Sequence, residues 1–265
     1  MYSVYQDQGF RDYMEDTFDV EEGFFKDPKD PRPDFDYYAV FDGHGGDAVS
    51  LFLQANMKSA IKVRLESGAS VEQALFDAFN DVAAALPAEK CVQTGSTALV
   101  MIRNKKQVWV ANAGDCRAVL KQFDKTRYVA TAITTDHKPN LPTERDRIEH
   151  NGGFVMQDPF GTWRVAGNLA VSRSFGDTYL HPFVTWVPEV FTFKTGPDMR
   201  AIFMASDGVW DTVSNQETAI ISTDVINKQM HYNPQLVLNN IAATIGRVAK
   251  AKGSMDNITV LMVVV

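Results

Sequence analysis

Acidic residues recur in this chain in one kind of place, at the end of an apolar run and beside glycine. Ala39-Val40-Phe41 ends on Asp42 and opens into Gly43, His44, Gly45 and Gly46. Ala201 to Ala205 runs into Ser206-Asp207-Gly208, with Trp210-Asp211 just after it. Gly253-Ser254-Met255-Asp256-Asn257 leads into the last apolar run, and Asp115 stands between two such runs in Asn112-Ala113-Gly114-Asp115. A further acidic pair, Glu15-Asp16, precedes the run at Thr17 and follows Gly9-Phe10-Arg11-Asp12-Tyr13-Met14. Taken singly, each is ordinary turn chemistry. Taken together, acids at strand ends can converge on one rim of a sheet structure. Clustered carboxylates repel unless cations lie between them. All-oxygen donor sets favour hard ions such as Mg²⁺ or Mn²⁺. Two such ions sharing a carboxylate can acidify a water and hold a phosphoryl group for in-line attack. Asp42 is thus a candidate metal ligand, and His44 a candidate acid/base group beside it.

The elements that must position these residues follow from hydrophobic periodicity. Strands are expected at Tyr2 to Tyr5, Thr17 to Glu21 and Tyr37 to Phe41, with Gly23 to Asp36 an exposed Pro/Asp-rich loop. Asp47 is placed to cap a helix running to about Glu66, and Ser70 with Gln73 forms a capping box. After that box Val71, Ala74, Leu75, Ala78, Phe79, Val82, Ala83 and Leu86 recur at helical spacing, one buried face. Short runs at Thr97 to Ile102, Gln107 to Ala113 and Arg117 to Lys121 read as strands split by turns. Pro142 opens a short helix that Gly152 closes. Strands return at Glu189 to Phe193 and Arg200 to Ala205. Asn233-Pro234 starts a helix with the stripe Val237, Ile241, Ile245 and Val248, ended by Gly253, and Asn257 to Val265 is a final strand. Strands in runs with paired helices between them predict an α+β fold with mainly antiparallel sheets.

The 265 residues are 45% hydrophobic and 22% charged, an ordinary globular composition, and no linker or repeat divides them. A single domain over residues 1–265 is expected. The net charge of −7 argues against nucleic-acid binding, which needs a basic face. It leaves an anionic substrate open, because bound cations invert the local field. Cys91 and Cys116 lack metal-ligand spacing and read as reduced thiols, and no run approaches the roughly 18 apolar residues of a membrane span. No signal peptide is visible. A cytoplasmic or nuclear location and a monomeric state are expected. Neither cysteine has an arginine six residues on, no Gly-x-x-x-x-Gly-Lys or Gly-x-Ser-x-Gly motif is present, and no His-x-x-x-His pair suggests zinc.

The motif set resembles the metal-dependent serine/threonine protein phosphatases of the 2C type, the PPM family, essentially from end to end. It comprises Gly9-x-Arg11-x-x-Met14-Glu15-Asp16, Phe41-Asp42-Gly43-His44-Gly45-Gly46, Gly95-Ser96-Thr97-Ala98 and Asn112-x-Gly114-Asp115-x-Arg117. Asp136-His137-Lys138-Pro139, Glu144, Arg147-Ile148, Gly152-Gly153 and the stretch from Arg164-Val165 to Phe175-Gly176-Asp177 follow, then Ala205-Ser206-Asp207-Gly208-x-Trp210-Asp211 and Gly253-Ser254-x-Asp256-Asn257-Ile258-Thr259. The resemblance implies a four-layer αββα fold, a central β-sandwich of two mainly antiparallel sheets flanked by helix pairs. It implies hydrolysis of phosphoserine and phosphothreonine in proteins with two Mg²⁺ or Mn²⁺ ions. In that reading Asp42 bridges the ions, the Gly43 carbonyl, Glu15 and adjacent Asp16 serve one ion, and Asp207 and Asp256 serve the other. Asp115, with Asp207, falls where a weaker third ion binds in some members. Arg11 holds the substrate phosphate, and His44 protonates the departing oxygen. The variable flap of the family corresponds to about 139–188. A catalytically weak pseudophosphatase used as a scaffold is the alternative, marked by loss of ligand acids; none is lost here. A hydrolase of small or nucleotide phosphates is a further option that the motif set disfavours.

Overall fold

The computed structural model describes residues 1–26, 34–229 and 231–265. Two five-stranded antiparallel sheets face each other. The first has the order β1-β15-β14-β8-β9, built from β1 (Tyr2–Asp7), β8 (Arg117–Asp124), β9 (Arg127–Ala132), β14 (Met199–Ala205) and β15 (Ile258–Val264). The second has the order β13-β7-β6-β3-β2, from β2 (Thr17–Phe25), β3 (Phe35–Phe41), β6 (Ala98–Arg103), β7 (Gln107–Ala113) and β13 (Glu189–Lys194).

The alternation along a strand explains why these runs are apolar throughout. On β3, Tyr38 and Val40 pack between the sheets with Leu99, Met101, Ile202, Met204 and Leu261. Its other face, Tyr37, Ala39 and Phe41, packs outward against Leu53, Met57 and Ile61 of α1 (Ala48–Glu66) and Leu75 and Phe79 of α2 (Val71–Ala85). On the opposite side, Phe203, Val260 and Met262 meet Val209 of the short α4 (Asp207–Trp210), Val225 of α5 (Asn215–Lys228) and Ile241 and Ile245 of α6 (Pro234–Ala251). Both faces of each sheet are therefore covered, which gives the expected four layers. The irregular region beside the sandwich holds α3 (Pro142–His150), the hairpin of β10 (Val155–Gln157) and β11 (Trp163–Val165), and a small core of Ile148, Val165, Leu180 and Val184. A small third sheet joins β4 (Gly43–His44), β5 (Gly95–Ser96) and β12 (Phe175–Gly176) in the order β12-β5-β4.

Several local expectations are corrected. The loop begins later than Gly23: β2 continues to Phe25, with Phe24 and Phe25 buried against the α1–α2 layer, and β3 resumes at Phe35. The Pro-rich part of that stretch, 27–33, lies outside the described residues. Asp47 precedes α1 but makes no side-chain cap. Ser70 accepts from the Gln73 backbone at 3.2 Å, but the Gln73 side chain turns to Asp77, so that box is half formed. A complete box occurs at Ser214 and Glu217, opening α5. Neither α5 nor β9 was expected. The buried side of α6 is Leu238, Ile241, Ala242, Ile245, Gly246 and Ala249, with Val237 and Val248 at its margins. Cys91 and Cys116 are both buried free thiols.

Candidate active site

The acids come from both sheets and meet at one end of the sandwich. Asp42 follows the last residue of β3, Asp115 lies between β7 and β8, and Asp207 follows β14 at the start of α4. Each can offer a carboxylate oxygen such that the three oxygens lie within 4.8 Å of one another. The Asp42 backbone is tied to Thr97: the Thr97 N–H donates to the Asp42 carbonyl at 2.9 Å, and the Asp42 N–H reaches the Thr97 hydroxyl at 3.3 Å. Strand pairing with the neighbouring chain segment thus fixes the backbone on which Asp42 projects.

Asp16 sits behind this group. It is buried, and its Oδ2 accepts from the Ser206 and Thr259 hydroxyls at 2.8 and 2.7 Å. Its Oδ1 is buried with no hydrogen-bond partner. The Glu15 carboxylate accepts from the Gly46 N–H at 2.5 Å, and the Glu15 carbonyl accepts from the Ser50 hydroxyl at 2.6 Å. Asp256 pairs with Arg11 at 2.7 Å, both at the outer edge of the site. Glu15, Asp16 and Asp256 therefore surround the group of Asp42, Asp115 and Asp207 without belonging to the closest set. Gly43 is buried in β4 immediately beyond Asp42.

Two backbone devices hold the parts in register. Asn257 accepts from the Glu15 N–H at 2.7 Å and donates to the Gln8 and Tyr13 carbonyls at 2.9 and 3.0 Å, so it bolts the loop carrying Arg11 and Glu15 to β15. Asn257 is buried, with both ends of its amide in use. Gly208 lies against the same segment: an added Cβ would stand 2.0 Å from the Asn257 carbonyl oxygen.

The electrostatics are unbalanced. Burial pushes the Asp42 carboxyl well above the usual carboxylate range, and the neighbouring Asp16, Asp207, Asp115 and Asp256 push it further. Asp207 is driven up by burial and then by Asp115. Asp16 is raised by burial to about 6, against the two hydroxyl hydrogen bonds that favour its charged form. One cation reaches in. Lys138 Nζ lies 2.6 Å from Asp115, 3.7 Å from Asp207 and 3.9 Å from Asp211. Burial works against that ammonium, but the three acids outweigh it and hold its pKa above the ordinary lysine value. Lys138 stands in the Asp136-His137-Lys138-Pro139 motif, and no local pattern links it to its acidic partners.

Divalent cations fit this donor set. The ligands are oxygens throughout, a buried carboxylate oxygen of Asp16 lacks a partner, and one ammonium does not offset the surrounding acids. A second overlooked residue is Asp177, buried beneath His44, whose Nε2 lies 2.7 Å from Asp177 Oδ2. Their separation along the chain hides the pair from any local pattern.

Known proteins share the sequence pattern and the fold of this chain. The profile of the family described as Protein phosphatase 2C matches residues 1–258. The Arabidopsis thaliana protein named Probable protein phosphatase 2C 2 is 35% identical over 272 residues, covering 99% of this chain and 66% of its own length. The first curated relatives are thus matched over no more than about two thirds of their length, 63% to 66%. Among solved structures, a C. elegans sex determining protein superposes with a TM-score of 0.86 at 23% identity, covering all of this chain and 64% of that one. A serine-threonine phosphatase 2C from Toxoplasma gondii gives 0.82 at 24% identity, covering 99% and 94%. The structural likeness carries the fold, and the sequence matches carry the kinship: this chain belongs to the protein phosphatase 2C family.

Proposed function

We propose that the chain hydrolyses phosphoserine and phosphothreonine in proteins with the help of divalent cations held on its acidic rim. The observation that carries this reading is the convergence of Asp42, Asp115 and Asp207 oxygens within 4.8 Å. In it Asp42 would help to hold both of two Mg²⁺ or Mn²⁺ ions. Gly43 and Glu15, with Asp16 as adjacent support, would hold one ion, Asp207 and Asp256 the other, and Asp115 with Asp207 a weaker third. When bound, such ions supply the positive charge that offsets acids and phosphate and makes a nearby water more acidic.

The chain's own groups do the rest. Arg11 uses one guanidinium nitrogen on Asp256 and is half exposed, which leaves donors facing solvent for the oxygens of a phosphate. His44 gives a proton to the oxygen that leaves phosphorus. Residues 1–265 act as one catalytic domain, supported by the contribution of acids from both sheets to one site, and the flap of about 139–188 borders it.

The test is phosphate release from phosphoserine and phosphothreonine peptides with Mg²⁺ or Mn²⁺, against EDTA and against a nucleotide panel. The expected result is metal-dependent release from the peptides, with Asp42→Asn losing about 100-fold or more. Wild-type turnover in that variant would overturn the role of Asp42, and hydrolysis confined to nucleotides would overturn the substrate class.

A further inference from the structure

The three-stranded sheet β12-β5-β4 places His44 opposite Gly95, and Gly95 opposite Gly176. Asp177 follows Gly176 in the left-handed region, φ 48°, which turns its carboxylate back across β5. There Oδ2 meets His44 Nε2 at 2.7 Å and accepts from the Ser174 hydroxyl at 2.6 Å. The pair crosses over Gly95, where a Cβ would stand 2.1 Å from Asp177 Oδ2 and 2.4 Å from His44 Nε2. A side chain at position 95 and this contact exclude each other. The other carboxylate oxygen, Oδ1, is buried without a hydrogen-bond partner.

We propose that Asp177 is a positioning residue for His44: it occupies Nε2 and leaves Nδ1 as the nitrogen that delivers the proton to the leaving oxygen. A carboxylate only accepts, so Nε2 carries a hydrogen toward Asp177. Among the described residues Nδ1 has no hydrogen-bond partner and is free to serve the substrate. The inference rests on the phosphatase reading for its chemical step. As water adds to phosphorus, the P–O bond to the serine or threonine oxygen breaks and its electron pair stays on that oxygen. The proton on His44 Nδ1 passes to it, giving the free hydroxyl and inorganic phosphate, and the proton released by the attacking water restores the ring through solvent. Asp177 and Ser174 hold the ring so that no rotation is needed at that moment.

The test is Asp177→Asn, because asparagine tolerates the left-handed backbone and keeps the shape of the side chain. On a phosphoserine peptide kcat is expected to fall about 10- to 100-fold with KM little changed. On p-nitrophenyl phosphate, whose phenolate leaves without a proton, the loss is expected to be about 3-fold or less. In a His44→Ala background the second substitution should add nothing. Long-range ¹H–¹⁵N spectra of the metal-free protein give a readout independent of turnover: the His44 Nε2–H signal of the wild type should move in Asp177→Asn. Equal losses on both substrates, a loss that persists without His44, or an unmoved ring signal would overturn the proposal. If the wild type hydrolyses neither substrate, the phosphatase reading falls, and the ring spectra alone then decide whether Asp177 orients His44.

Discussion

Two regions of the molecule bury charge, and they do it in opposite ways. In the irregular region beside the sandwich, Glu144 of α3 is held by Arg173 at 2.6 Å, by Arg147 at 2.9 Å and by the Ser172 hydroxyl at 2.9 Å. Both arginines also donate to carbonyls, Arg147 to Phe183 and Ser172, Arg173 to Val187. Burial opposes the Glu144 charge, but the two guanidiniums prevail and draw its carboxyl down to about 2. Glu189 lies 4.0 Å from Arg173 and 3.3 Å from the buried His137, whose ring burial keeps on the neutral side. Two guanidiniums and two carboxylates thus close the group electrically. At the acidic rim Lys138 is the one ammonium among the described residues that pairs with Asp115 and Asp207, and burial raises the carboxyls of Asp16, Asp42 and Asp207 where it fails to raise that of Glu144. The difference teaches where to look for chemistry. A closed charge group fastens elements together, whereas an open one is completed by something from outside.

The contrast can be broken most forcefully at Glu144. Glu144→Gln should cost about 3–5 kcal/mol by leaving two guanidiniums buried without their counter-charge, with or without divalent metal. Its acid limb should change as well. A carboxyl at about 2 when folded, against an ordinary value of 4.5, adds stability that is present above about pH 4.5 and is lost as pH falls toward 2. Urea denaturation across that range should show the loss in the wild type and a flatter limb in the variant.

A smaller effect sharpens the other side. Lys138→Met removes the one ammonium from the buried Asp115, and should destabilise the metal-free protein by about 1–3 kcal/mol. Addition of Mg²⁺ or Mn²⁺ should shrink that loss in thermal melts. An equal loss with and without metal would show the rim to be closed in itself, and the contrast would fail.

The smallest effect concerns a third arrangement, a buried cation without an acid. Lys121 of β8 donates to the Ser222 and Thr223 hydroxyls at 2.8 and 2.9 Å and lies 4.4 Å from the Tyr128 ring centroid. Among the described residues no carboxylate comes within 4 Å of it. Burial pushes the amine down to about 8. The cost of the charged form is therefore present below about pH 8 and lifts as pH rises toward the ordinary lysine value of 10.5. Lys121→Met should raise the melting temperature at pH 7 by a few degrees and abolish the gain in stability above pH 8.

The rim acids were legible because each is announced locally, by an apolar run that stops on a carboxylate beside glycine. The helices α2 and α6 were legible because their apolar residues recur on one face. By contrast α5 carries Thr218, Ser222 and Thr223 among its apolar positions, and these blur the stripe, although Ser214 and Glu217 offered a start signal that went unread. Hydrogen bonds that join distant segments left no pattern. His44 and Asp177 stand 133 residues apart, and Arg11 and Asp256 stand 245 apart. The carboxylates could be found from neighbours in the chain, while the groups that orient or neutralise them depend on how the sheets bring strangers together.

The contact between Gly208 and the Asn257 carbonyl has a consequence for how this sequence can drift. A rim acid can be exchanged for its amide with the charge lost and the shape of the side chain kept. A backbone touching a backbone at the place of a missing Cβ offers no such latitude. Position 208 therefore bears a constraint as strict as that on Asp207 beside it, although it contributes no functional group. In a library of random substitutions position 208 is expected to return glycine almost alone.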